Sequence, residues 1–155
     1  MQRIENMLIE YPIILQKIND LRFEMTELLN NKNYYSDILK AQRYKELVVS
    51  HKKNNDSVFD AAAKAIDINR NVYKIKEKIN ELLAEKKDIE LCLKSLDDIE
   101  FRLVNLRYFR MYNWRLVSLK LKISRTKCFY VKQRALAKIM YEMNEIRPYE
   151  NFKIV

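Results

Sequence analysis

The 155-residue chain contains no glycine, only two prolines, two cysteines and one histidine. Each shortage excludes something. Without Gly, neither a Walker-type phosphate loop nor a dinucleotide-binding turn can be built, because both bring backbone close to phosphate. Strand hairpins and tight loops also lean on Gly, so the composition points to an all-α fold. His51, Cys92 and Cys128 lie far apart with no ligand-like spacing, so neither a metal nor a cofactor is expected. Two lone cysteines at apolar helical positions suit a reducing compartment. No run approaches the roughly 18 apolar residues of a membrane span, and Met1 to Glu10 does not read as a signal peptide. A cytoplasmic protein without membrane attachment is the expectation. Nor does any carboxylate pair or nucleophile–base set stand out, so an enzyme is not expected.

What the chain does have is a lopsided charge. Residues 101–141 hold eleven of the 30 Lys and Arg and none of the 21 Asp and Glu, while the remainder is close to neutral. The whole carries a formal charge of +9. A compact cationic module on a balanced chain is the electrostatic footprint of a phosphate-rich polymer, although a solvated basic surface produces the same count. The pattern inside the module has to decide between them.

The front half reads as a hairpin of long helices or a coiled coil, residues 1–95. Ile14, Ile18, Leu21, Met25 and Leu28 form one stripe on a helix from about Ile4 to Leu29. Pro12 suits a first helical turn, which makes residues 2–10 a separate turn or a kinked start. Asn30, Asn31 and Asn33 are the expected stop, since Asn tolerates left-handed geometry. A short helix fits Tyr34 to Tyr44, and an irregular connection is expected near 43–56. His51 sits there as an ordinary loop residue. From Ser57 onward, Ile68, Val72, Ile75, Ile79, Leu82, Lys86, Ile89, Leu93 and Leu96 follow alternating steps of four and three, a heptad seam with one polar member. Such a seam packs against the first helix or against a second copy. A homodimer through it is the expectation, because groove-reading proteins commonly bind paired half-sites.

Residues 96–147 divide into three helices, followed by a tail, 148–155. Asp97 with Glu100 is an N-cap pair, and Ile99, Leu103, Leu106 and Phe109 line the first helix. Asn113 caps a second helix that turns Trp114, Val117 and Leu121 inward. Ser124 caps the third, with Cys128, Val131, Ala135, Leu136 and Ile139 as its buried stripe. The spacing across Leu121 to Ser124 is that of a helix-turn-helix. At about 100° per residue, the outward face of helix 124–141 carries Thr126, Phe129, Tyr130 and Gln133, flanked by Arg125, Lys127 and Arg134. With Arg115, Lys122 and Ser124, these are the expected DNA-binding residues: polar and aromatic groups for base edges, cations for phosphates. The bland alternative for Phe129 and Tyr130 is packing against the hairpin.

The same segment, Asp97 to Met140, resembles region four of bacterial sigma factors, which reads the promoter −35 element. The likeness is carried by Leu106-Arg107-Tyr108-Phe109, Trp114, Val117, Leu121, Ile123-Ser124-Arg125, Arg134-Ala135-Leu136 and Lys138-Ile139. The string from Ser124 to Tyr130 looks closer still to small phage-encoded regulators of the ArpU and RinA sort, which also place helical coils ahead of the domain. Lys122 stands where that turn usually has Gly. Segments resembling the sigma core-binding and −10-melting regions are absent, so a complete sigma factor is not implied. The resemblance implies a transcriptional regulator of phage or prophage genes, with double-stranded DNA as partner and RNA polymerase as a second candidate partner. The alternative is a DNA-packaging protein of the small-terminase kind or another DNA-recognition accessory. A third reading is a coiled-coil adaptor whose basic end binds RNA or an acidic protein.

Overall fold

A computed structural model of the chain describes residues 1–48, 55–146 and 148. Among them there are five α-helices and no strand, so the fold is all-α. The helices are α1 (Gln2–Val48), α2 (Asn55–Leu93), α3 (Asp98–Val104), α4 (Trp114–Leu121) and α5 (Arg125–Ile146). One π-helical turn, Asn105–Phe109, follows α3 directly. His51, the centre of the expected irregular connection and most of the expected tail lie outside the described residues.

Two expected breaks in the front half are replaced by continuous helix. α1 runs through Pro12 and through Asn30, Asn31 and Asn33 without ending. A proline inside a helix costs about 3 kcal/mol. Leu8, Ile14 and Ile18 on either side of it are buried, and each such side chain contributes about 1.5–3 kcal/mol. The three Asn residues are exposed, and a helical Asn costs only about 0.7 kcal/mol against Ala, too little to stop a helix held elsewhere. Residues 43–48 and 55–56, expected to be irregular, are helical.

The heptad seam is a packed surface. Val72, Ile75, Ile79, Ile89 and Leu93 are buried within the single chain, and Ile68, Leu82 and Leu96 are half-buried. Lys86 keeps its place on the seam by turning its ammonium to Glu90, one helical turn on, at 2.9 Å.

The chain divides differently from the expected boundary near residue 95. One compact unit is Ile18–Glu81; the other joins Met1–Lys17 to the chain from Leu82 onward. In the first, the Lys64 ammonium lies 5.8 Å over the Tyr35 ring, setting a residue of α1 beside one of α2. In the second, the opening turns of α1 belong to the basic module. Ile4 and Leu8 are buried there, Glu5 pairs with Lys132 of α5 at 2.5 Å, and the Tyr11 ring lies 4.9 Å from Phe109. The Tyr11 hydroxyl donates to Glu90 at 2.9 Å. Burial and that carboxylate push the Tyr11 phenol up to about 12.

Candidate nucleic-acid interface

The helices that carry the basic residues are fixed by their caps. Asp97 accepts from the Glu100 N–H and Glu100 accepts from the Asp97 N–H, both at 2.9 Å, a complete capping box at the start of α3. The Asn113 side chain accepts from the Leu116 N–H at 2.9 Å to start α4. The Ser124 hydroxyl accepts from the Lys127 N–H at 3.2 Å to start α5. Between α4 and α5 the chain turns on Lys122, whose φ of 54° and ψ of 40° are left-handed. The position that favours Gly is thus occupied by a lysine in Gly-like geometry, at a cost of roughly 1 kcal/mol.

The interior matches the helical wheel. Leu103, Val117, Cys128 and Val131 form the buried centre, with Ile99, Leu106, Tyr112, Trp114, Leu121 and Ile123 packed around it. Ala135, Leu136 and Ile139 continue the stripe along α5. The π-helical turn is a feature the periodicity did not announce. The Arg110 N–H reaches back five residues to the Asn105 carbonyl at 2.9 Å, and Met111 follows with a φ of 55°. That widened turn buries Tyr108 and leaves Phe109, expected on the inner stripe, half-buried against Tyr11. Burial and the neighbouring Glu5 carboxylate raise the Tyr108 phenol.

The outward face of α5 is open. Thr126, Phe129, Tyr130 and Gln133 are all exposed, and with Arg125 they line a shallow concavity of about 340 Å³. Phe129 is steadied from behind by Trp114, with ring centroids 4.8 Å apart. Trp114 in turn has the Arg107 guanidinium at 5.1 Å and the Lys132 ammonium at 5.9 Å from its ring.

The expected cations separate into two groups. Arg115, Lys122, Arg125 and Lys127 are exposed and make no ion pair among the described residues. Arg134 is exposed too, but it is tied to the domain's own carboxylates. Its Nε pairs with Glu100 and its second guanidinium arm with Asp97 at 2.7 Å, while Lys138 meets Glu100 at 2.7 Å. Glu100 is wholly buried. Burial alone would raise its carboxyl, but the bonds from Lys138, the Asp97 N–H and Arg134 outweigh it and hold the carboxyl below its ordinary value. Lys132 is likewise held by Glu5, whose carboxyl is lowered chiefly by that bond. Arg110, not singled out from the sequence, is a further exposed cation without an ion pair among the described residues. Its only signal was membership of the acid-free stretch. No group of His, Cys, Asp and Glu among the described residues is placed to hold a metal ion.

Comparison with protein-family models, with curated proteins and with solved structures finds no match to this chain.

Proposed function

We propose that the chain is a sequence-specific DNA-binding transcriptional regulator, of the kind encoded by phages and prophages, with α5 entering the major groove. The observation that carries this reading is the composition of one face. Thr126, Phe129, Tyr130 and Gln133 stand exposed over the first turns of α5 with Arg125 beside them, Arg115, Lys122 and Lys127 are exposed on the same module, and no carboxylate occurs anywhere in residues 101–141. A face meant only for solvation has no need of two exposed rings. One meant for a folded partner's apolar core has no need of four cations around it. Base edges in the middle and phosphates at the rim account for both. The positive end of the α5 dipole adds to the attraction for phosphate. RNA polymerase is a further proposed partner, from the sigma likeness. Two copies on paired half-sites, joined by a surface other than the already buried Val72, Ile75 and Ile79, would supply affinity that one helix in one groove lacks.

Affinity for duplex DNA should fall steeply with salt. With four unpaired cations reaching phosphates, log K against log salt should have a slope of about −3 to −4, since each phosphate neutralised contributes about −0.9. Fluorescence anisotropy across a salt series measures it. A flat response, or equal affinity for a polyglutamate competitor, would remove the nucleic-acid reading. Transcription in vitro from phage promoters, with and without the protein, separates a regulator from a packaging factor.

A further inference from the structure

Two aromatic rings on a groove-reading face call for a ligand of matching chemistry. Phe129 is 45% exposed and Tyr130 69% exposed, and both border the concavity with Arg125, Thr126 and Gln133. Phe129 is a fixed ring, because Trp114 backs it.

The four bases present distinct edges in the major groove. Guanine offers two acceptors, adenine an acceptor and a donor, cytosine a donor, and thymine an acceptor beside a methyl group. The methyl is the one apolar element among them. The face of α5 offers two rings and the Thr126 methyl to meet it, the Gln133 amide for adenine, and the Arg125 guanidinium for guanine. It offers no carboxylate to accept from a cytosine amino group, since residues 101–141 contain none.

Resting on the DNA-binding reading above, we infer that this face selects its site through thymine C5-methyl groups buried against Phe129 and Tyr130, with the partner adenine available to Gln133. The rings then have a physical reason to stand in water in the free protein. Each methyl removed from water should contribute about 0.8 kcal/mol, which is roughly fourfold in affinity.

Removing the methyl without touching the hydrogen-bonding groups tests this. The full chain is used to select sites from a random duplex pool. Affinity is then measured on the selected duplex and on the same duplex with deoxyuridine in place of each thymidine. Binding should weaken about fourfold for each contacted thymine, so roughly 15-fold for two. Tyr130→Ala and Phe129→Leu should weaken binding to the thymine duplex and narrow the thymine-to-uracil ratio. Circular dichroism of both variants should match the parent, because Tyr130 is exposed and leucine keeps an apolar contact for Trp114. Equal affinity for the two duplexes would overturn the inference, as would a ratio unchanged in both variants. Tighter binding to single strands than to duplex would overturn it too, by assigning the rings to base stacking. Salt-sensitive binding from which selection enriches no sequence would overturn it while leaving DNA binding in place. Absence of any DNA binding would remove both.

Discussion

At the scale of single residues, two positions set testable energies. Lys122 holds a left-handed turn that a β-carbon disfavours. Lys122→Gly should therefore stabilise the protein by up to about 1 kcal/mol and raise its melting temperature by about 2–5 °C. The salt slope for DNA should meanwhile become shallower by about 0.9, one cation having gone. A variant that melts earlier than the parent would mean that the lysine side chain stabilises the turn. Glu100 sets the response to acid. Its carboxyl is held below the ordinary 4.5, so its contribution is complete above that value and is lost as pH falls through the lower folded value. Glu5 is lowered too and acts in the same direction. Glu100→Gln keeps an N3 acceptor for the capping box but leaves Arg134 and Lys138 facing a neutral group. The substitution strands no charge in the interior, because both cations reach water, so it should cost less than the roughly 3–5 kcal/mol of breaking a fully buried pair. Thermal melts from pH 7 down to pH 3 should show a smaller stability loss in the variant than in the parent. Parallel loss in both would assign acid sensitivity to other carboxylates.

Among the elements, α5 shows why part of this protein could be read from its sequence. A 3.6-residue period fixes two faces at once, and the residues expected inward on α5 are all buried while Thr126, Phe129, Tyr130 and Gln133 are all exposed. Caps were readable for a similar reason: Asp97, Asn113 and Ser124 act on N–H groups three residues away, entirely within local sequence. What failed were inferences in which tertiary burial outweighs local preference. Pro12 and the three Asn residues signal a break by propensity alone; α1 passes through Pro12 on the burial of Leu8, Ile14 and Ile18, and the Asn penalty is too small to stop it. Tyr108 was legible as a core aromatic, but the π-helical turn at Asn105–Phe109 leaves no composition signature, so the left-handed Met111 was invisible. Arg134 could not be told from a phosphate-binding cation, because its partners are 34 and 37 residues away. The two faces of α5 should respond differently to alanine. Val131→Ala or Leu136→Ala should cost about 1–5 kcal/mol of stability. Tyr130→Ala should leave the melting curve in place while eroding sequence preference. Early melting of the Tyr130 variant would mean that the exposed face has been misassigned.

On the scale of the whole molecule, the seam and the opening turns of α1 decide how the chain coheres. Val72, Ile75 and Ile79 are already buried within one chain, so pairing two copies through them would require the chain to open. Replacing Ile75 and Ile79 with Ser should therefore lower helicity and stability without halving the mass seen by light scattering. A clean halving, with helicity kept, would restore the dimer expected from the heptads. Ile4 and Leu8 are buried in the same compact unit as the basic module, so that module is not expected to stand alone. Leu8→Ala should destabilise the module at the other end of the sequence by about 2–5 kcal/mol, read from amide-exchange protection in α5. Unchanged protection there would make the module independent after all. The union of Met1–Lys17 with the chain from Leu82 onward bears on how the protein is made. Helical proteins usually assemble from neighbours in sequence and fold fast, but Tyr11 must wait for Glu90, 79 positions later, and Glu5 for Lys132. On the ribosome, at about 5–20 residues per second, Ile4 and Leu8 emerge several seconds before α5 exists to cover them. Until then the nascent chain presents an uncovered apolar helix, so chaperone capture should concentrate on the stretch around Ile4 and Leu8.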